Sequence, residues 1–385
     1  MPSKPDPNSI PLAAGIESIA FAISASNAEK HGEPNPTGIF LATHSIIPPT
    51  DNKILNAAKK SLNANQTGYT NPVGITPLRE AIASNLNEKF HLDLTKEQIL
   101  ITHGARFAIY LAVSTNMSPG GTALFFEPAY PAYRKIIENF EGRPVSISTS
   151  LEDKWEPNIS HIEDYFDEPP DIIILNSPAN PTGKILSKNI VDELVKYAVK
   201  KDIMIISDEV YQEYAFKSCQ SILQYSKCKS IFISSFSKSY SMTGFRIGYA
   251  ISSTDNISRM SKLGSLALTC LPEFVQRSAL KALECQDFVN ENVTKIQSRA
   301  AYLSNLLDDL PVDYYKPDGG FYIFPRVNQF EFNSEKFADN LLKKHHVSVV
   351  PGTAFGDYNE FLRISLCQPK EKLKIAIKNM EKALK

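Results

Sequence analysis

Three apolar, strand-like runs in this chain end in side chains that can do chemistry. The stretch DIIILNSPANPTG, Asp171 to Gly183, carries one of them into a polar turn. Ile203 to Tyr211 carries another into Ser207, Asp208, Glu209, Val210 and Tyr211. The third, within Ser230 to Tyr249, ends in Ser235, Ser237 and Lys238, with Arg246 eight positions further on. In an open parallel sheet, ligands gather beyond the carboxyl ends of the strands, where Asn176 and Asn180 would fall. A lysine placed there among apolar and aromatic neighbours is desolvated, and a desolvated amine becomes reactive. Taken singly, each has a plainer reading. Asn-Pro-Thr-Gly is a turn, a strand-end carboxylate is a cap or a surface charge, and most lysines are solvated.

A fourth stretch, THGARFA from Thr102 to Ala108, lies between a strand and a helical segment. A small-residue turn that opens a helix presents free N–H groups and the positive end of the helix dipole. That is an anion site, typically for phosphate. The chain also holds its own control for the turn reading. Asn35-Pro36-Thr37-Gly38 repeats the letters NPTG after the polar run Lys30 to Glu33, with no strand before it. The first copy is read as a turn and the second as the site candidate.

Strands must carry these residues, and seven apolar runs are available. They are Gln98–Thr102, Thr122–Glu127, Pro144–Ser148, Asp171–Asn176, Ile203–Asp208, Ser230–Ser234 and Arg246–Ile251. Amphipathic stretches lie between several, such as Ser187–Lys200, with Ile190, Leu194, Val195 and Ala198 on one helical face. Continuously apolar strands alternating with helices predict an α/β unit with a mostly parallel seven-stranded sheet covered on both sides. Beyond Leu271–Pro272, Glu273 to Leu310 has no glycine or proline and reads as one or two long helices. Gly319–Phe324 and Val347–Val350 read as strands, and Lys370–Leu384 as a closing charged helix. The predicted organisation is an N-terminal arm contributing to a small domain (1–45), a large domain (46–272) and a small α+β domain (273–385). A helix-like run at Ile16–Ala25 belongs to the arm.

Composition removes several classes of function. Across 385 residues, 41 basic side chains nearly cancel 42 acidic ones, leaving a net charge of -1. Neither nucleic acid nor a membrane surface is an electrostatic default for such a chain. The five scattered cysteines form no CxxC pair, so a disulfide framework and a zinc knuckle are unsupported and a reducing cytoplasm is expected. The opening residues make a poor secretory signal, no arginine precedes Arg79, and no apolar run is long enough to span a bilayer. His345-His346, after two lysines, reads as a solvated pair rather than a metal site. No GxGxxG, Walker A, HExxH or GxSxG pattern is present.

The four pieces together resemble the class I/II pyridoxal-phosphate-dependent aminotransferases, of fold type I and aspartate aminotransferase-like. The resemblance runs in the family's order from Tyr69 in GYTNPVG to Arg363 in FLRIS. It includes EPAYPAY ending at Tyr133, DGGFY from Asp318 to Tyr322, and VPGTAFG ending at Gly356. It implies that Lys238 holds the cofactor as a Schiff base and then shuttles a proton as general base and acid. Asp208 would face the pyridine nitrogen and keep it protonated, so that the ring accepts electrons. Tyr211 and Asn180 would bond the phenolic oxygen, and Tyr130 would stack on the ring. Gly104, Ala105 and Arg106 through their backbone, with Ser235, Ser237 and Arg246, would hold the phosphate. Tyr69 would reach the phosphate of the neighbouring subunit, making a homodimer the complete unit. Arg363 would take the substrate α-carboxylate in a bidentate fork, and domain closure over the substrate follows naturally from its place in the small domain.

The departures bear on substrate. Phe107 stands where many relatives have glutamine or glutamate, and His44 aligns with a glycine near the substrate. His44 either contacts the substrate side chain or is a satisfied core histidine. Arg106 matches a lysine that, in one subgroup, pairs with the distal carboxylate of the substrate; the alternative is a solvated arginine at a helix start. The implied reaction moves the amino group of an L-amino acid, aspartate favoured, to a 2-oxo acid such as 2-oxoglutarate. A β- or γ-lyase on the same scaffold would use the same Lys238 and Asp208. A cofactor-binding transcriptional regulator would need a DNA-binding domain, for which no basic helix-turn-helix is visible.

Overall fold

The structure is a computed structural model that describes residues 39–42, 49–160, 162–329 and 331–385. The expected helix at Ile16–Ala25, the first NPTG copy and His44 lie outside these residues.

A short β1 (Ile39–Phe40) is followed by β2 (Ile99–Thr102), β3 (Thr122–Glu127), β4 (Arg143–Ser148), β5 (Ile172–Asn176), β6 (Met204–Asp208), β7 (Ser230–Ser235) and β8 (Gly248–Ile251). The last seven form one sheet in the order β2-β8-β7-β6-β5-β3-β4. β3 to β7 run parallel with their neighbours in that group, whereas β8 is antiparallel to both β7 and β2. The apolar letters are used on both faces. Ile173 and Leu175 of β5 enter one core and Ile172 and Ile174 the other, with the period of two that a pleated strand imposes. The expected strand at Arg246 begins only at Gly248. Arg246 itself has a left-handed backbone with φ 52°.

Helices cover the sheet: α1 (Asn52–Asn63), α2 (Thr76–Phe90), α3 (Ala105–Asn116), α4 (Ala132–Asn139), α5 (Lys188–Lys201), α6 (Thr254–Leu268) and α7 (Glu273–Ala282). In α5, the Ser187 hydroxyl accepts from the Ile190 N–H, and Val191, Leu194, Val195 and Ala198 are buried at helical spacing. The long run after Pro272 is two helices, α7 and α8 (Gln286–Leu307). α8 bridges two cores: Val289 packs with the large sheet, while Ile296, Ala300, Leu303 and Leu307 pack in a second core.

That second core is built from α9 (Ser334–His345), α10 (Lys370–Leu384) and short strands. β9 (Val312–Asp313) pairs with β11 (Arg326–Val327); β10 (Tyr322–Ile323), β14 (Leu362–Ser365) and β13 (Val350–Pro351) form an antiparallel trio, and β12 (Val347–Ser348) pairs in parallel with β1. Ile39 and Leu41 join this core, and so do Tyr211 and Tyr214 from the loop after β6. The strand expected over Gly319–Phe324 shrinks to β10, because Gly320 turns at φ 75° and Gly319 bridges to Ala215 instead. Among the described residues, no helix is long and apolar enough to cross a membrane.

Candidate active site

The carboxyl ends of β5, β6 and β7 deliver the candidate residues side by side. Asp208 closes β6 beside Asn176 of β5 and Ile233 of β7. It is buried, and its Oδ2 accepts a hydrogen bond from Tyr133 Oη at 2.7 Å. Burial pushes its carboxyl up to about 6, against the pull of Tyr133, the Val210 N–H and Lys238 toward the charged form.

Lys238 sits on one helical turn, Phe236–Ser239, which Ser235 caps by accepting from the Ser237 N–H at 3.0 Å. Its Nζ lies 5.9 Å from the centre of the Tyr211 ring. Loss of solvent brings its ammonium down to about 8. The nearby Cys367 opposes that fall, and Arg363, Arg246 and Arg106 add to it. Tyr211, also buried, faces the hydroxyl of Tyr322 at 3.1 Å.

A chain of hydrogen bonds ties Asp208 to Arg363. Asn176 Nδ2 donates to the Asp208 carbonyl at 2.9 Å, and its Oδ1 accepts from the Asn180 N–H at 2.8 Å. Asn180 Oδ1 then accepts from Arg363 Nη1 at 3.0 Å. Arg363, on β14, is fully buried; its Nη2 donates to the Ala42 carbonyl at 3.2 Å, and its plane lies 4.4 Å from the Tyr322 ring centre. A guanidinium held between an amide oxygen and an aromatic face presents a fixed fork.

The anion cradle forms where α3 starts. Gly104 precedes it at φ 81°, and a Cβ there would come within 2.8 Å of Arg246 Nη2. Gly248 is equally tight, since its Cβ would approach Ala105 N and the Ser234 carbonyl at 2.8 Å each. Only glycine brings this backbone so close to Arg246, whose Nη1 is anchored by the Thr243 carbonyl at 2.8 Å. Ser235 and Ser237 are buried beside it, and Ser235 Oγ also donates to the Ile247 carbonyl at 3.1 Å. Arg106 is exposed; its Nε donates to Tyr130 Oη at 2.9 Å, and its guanidinium stands 5.6 Å from that ring's centre.

A small pocket, partly open to solvent, adjoins these groups and is lined by Tyr130, Tyr133, Asn176, Asn180, Trp155 and Lys184 among others. Tyr69 is 91 % exposed, next to Thr70, whose hydroxyl donates to the Leu271 carbonyl.

Residues 42–380 match the model of the aminotransferase class I and II family. The chain belongs to that family. This aminotransferase is 30% identical over 348 residues to the aspartate aminotransferase of Sulfolobus acidocaldarius, covering 86% of each chain. It is 32% identical over 349 residues to aromatic-amino-acid aminotransferase 2 of Thermococcus litoralis, covering 87% of this chain and 89% of the relative. The crystal structure of aspartate aminotransferase from Thermotoga maritima superposes with a TM-score of 0.88 at 30% identity, over 97% of this chain and 99% of that one. The protein is therefore a transaminase with an aspartate aminotransferase-like fold, in a family whose members use pyridoxal phosphate.

The residues of this aminotransferase suit that cofactor. Three guanidinium groups, on Arg106, Arg246 and Arg363, act together on Lys238, a local excess of positive charge that a phosphate dianion and a carboxylate would neutralise. Asp208 is the buried carboxylate a cationic ring nitrogen would face. The sequence reading gave no role to Tyr133 or Tyr322. Tyr133 was visible three positions after Tyr130 in EPAYPAY, but its contact with Asp208, 75 positions away, had no local signature.

Proposed function

We propose that this aminotransferase moves the amino group of an L-amino acid, aspartate first, to a 2-oxo acid such as 2-oxoglutarate. The observation that carries the reading is Lys238, half-buried on the turn that follows β7, beside the strand that ends in the buried Asp208, with the charges of Arg363, Arg246 and Arg106 acting on its amine. When bound, pyridoxal phosphate supplies an aldehyde that takes up the donor's amine and a protonated ring that accepts the electrons left at Cα.

Lys238 Nζ would hold the aldehyde and, once displaced by the donor, take the proton from Cα. An amine poised at about 8 keeps a useful neutral fraction near neutral pH. Asp208 would keep the ring nitrogen protonated, with Tyr133 holding the carboxylate in its charged form. Asn180 and Tyr211 would bond the phenolic oxygen, and Tyr130 would lie against the ring. The N–H groups of Gly104, Ala105 and Arg106, together with Ser235, Ser237 and Arg246, would hold the phosphate. Arg363 would take the donor's α-carboxylate in its fork.

Arg106, at the exposed edge beside Tyr130, would meet the distal carboxylate of an acidic donor. The exposure of Tyr69 supports a homodimer in which it reaches the neighbouring phosphate. The presence of two cores supports a large domain (46–272) and a small domain (273–385) that close on substrate, with α8 packing in both cores. Five cysteines that are all free thiols support a cytoplasmic setting.

A panel of amino donors against 2-oxoglutarate, followed by cofactor absorbance, tests the reading. Aspartate should turn over fastest and only with the oxo acid present. Ammonia and pyruvate released without an oxo acid would place the protein among the lyases instead.

A further inference from the structure

We propose that Asp318 is a positioning residue that sets where Asn180 stands against Arg363; the inference rests on the reading above, in which that pair handles the donor's α-carboxylate. Asp318 lies four residues before Tyr322, on whose ring Arg363 packs. Its carboxylate joins three segments. Oδ2 accepts from the Ile185 N–H at 3.1 Å and from Tyr315 Oη at 2.8 Å, while Oδ1 meets Lys217 Nζ at 2.8 Å. Ile185 belongs to the loop that carries Asn180, which closes on itself through the Ala179 N–H to the Lys184 carbonyl at 2.8 Å.

The backbone reinforces the same junction. The N–H groups of Asp318 and Gly319 both donate to the Gly183 carbonyl, at 2.9 and 3.1 Å. The Phe216 N–H donates to the Asp318 carbonyl at 2.7 Å, and the Gly320 N–H to the Tyr214 carbonyl at 3.0 Å. The loop bearing Asn180, the loop that follows Tyr211 and the segment entering β10 therefore meet at one residue. No slack remains between them. A Cβ on Gly183 would stand 2.5 Å from Pro317 Cβ, and one on Gly319 would stand 2.7 Å from the Tyr214 carbonyl.

Removing the carboxylate leaves the N–H of the buried Ile185 without its acceptor and frees the loop to shift. Asp318 touches neither reactant. Its influence would pass through Asn180, whose amide oxygen takes Arg363 Nη1, and through the Tyr211–Tyr322 hydroxyl pair. Lys217 is half exposed, so its ion pair with Asp318 contributes little by itself.

The experiment uses the cofactor-loaded enzyme with Asp318→Ala, Asp318→Asn, Asp318→Glu and Lys217→Ala. Wild-type turnover tests the functional reading; only the comparison among variants tests Asp318. Asp318→Ala should raise the donor KM about ten-fold or more, with a smaller change in kcat, as a displaced fork does. It should also move the pH midpoint of the bound cofactor's absorbance upward, because donors to the phenolic oxygen favour the deprotonated chromophore. Asp318→Asn, which keeps an acceptor oxygen, should recover most of both effects, and Lys217→Ala should match wild type. Should Asp318→Ala not fold, Asp318→Glu keeps the charge but displaces the acceptor and should show the same KM rise at native Tm. Wild-type KM and pH midpoint in a folded Asp318→Ala or Asp318→Glu would overturn the proposal. So would a Lys217→Ala variant that reproduces the loss.

Discussion

Inside the large-sheet core, the phenol of Tyr133 donates to Asp208 Oδ2 across 2.7 Å. Both groups are buried, so the bond forms without competition from water. Burial alone drives the Asp208 carboxyl upward, and this donor is the first of the contacts that restrain it. A carboxylate that must be charged to hold a cationic ring nitrogen thus depends on a tyrosine from the start of α4.

Tyr133→Phe should therefore raise the Asp208 pKa further. The acid limb of kcat should move to higher pH, and cofactor affinity should fall, on the scale of one hydrogen bond to a charged group, about 1.5–3 kcal/mol. Cofactor titration of the apo-protein across pH 5 to 8 reads this directly. An unshifted affinity profile would show that the phenol has no hold on the carboxylate.

The lowered Lys238 amine predicts selective chemistry in the apo-protein. A group at about 8 is largely neutral where ordinary lysines, near 10.5, are still charged. An amine-directed label should modify Lys238 with a rate midpoint near pH 8, read by peptide mass analysis. The sign for stability follows from the same shift. The unfolded chain binds the extra proton between about 8 and 10.5, so this group's contribution to apo-protein stability rises with pH across that window and the cost of burying its charge is felt below it. Labelling with a midpoint near 10.5 would contradict both statements.

Gly104→Ala should strike the cradle directly, through its backbone and the Arg246 guanidinium that packs on it. The new Cβ meets Arg246 Nη2 at 2.8 Å on a backbone of φ 81°, which a non-glycine residue adopts at a cost of about 1–3 kcal/mol. Weaker binding of pyridoxal phosphate and of inorganic phosphate, with a lower Tm, is the expected calorimetric result. Unchanged phosphate binding would remove Gly104 from the anion site.

Arg106→Ala separates the two roles proposed for that turn. The exposed side chain beside Tyr130 is lost, whereas the backbone N–H that the turn offers to the phosphate is kept. KM for aspartate or glutamate should rise about ten-fold or more, the scale of one lost charge-assisted bond, while an apolar donor is unaffected. Equal losses for both donor classes would exclude Arg106 as the reader of the distal carboxylate.

The strands were legible because burial on both faces forces continuous apolar runs, and the polar groups that end them, ambiguous singly, formed one recognisable set in a fixed order. Asn180, Asp208 and Lys238 could be picked out for that reason, as could the glycine turn before α3. The apolar side of α5 was readable in the same local way for Leu194, Val195 and Ala198, although Val191 rather than Ile190 completes its buried face. What the linear chain could not carry was distance. Tyr133 meets Asp208, Tyr322 stacks under Arg363, and Asp318 grips the Asn180 loop only because three strand ends and a second core converge there. Hydrophobic periodicity reports whether a residue is buried, and it does not report which partner it is buried against. The pKa values of Asp208 and Lys238 belong to the same class, since they arise from desolvation and from charges brought in from distant parts of the chain. Residue type and spacing determined which groups could react, and tertiary packing alone decided how each one is held and charged.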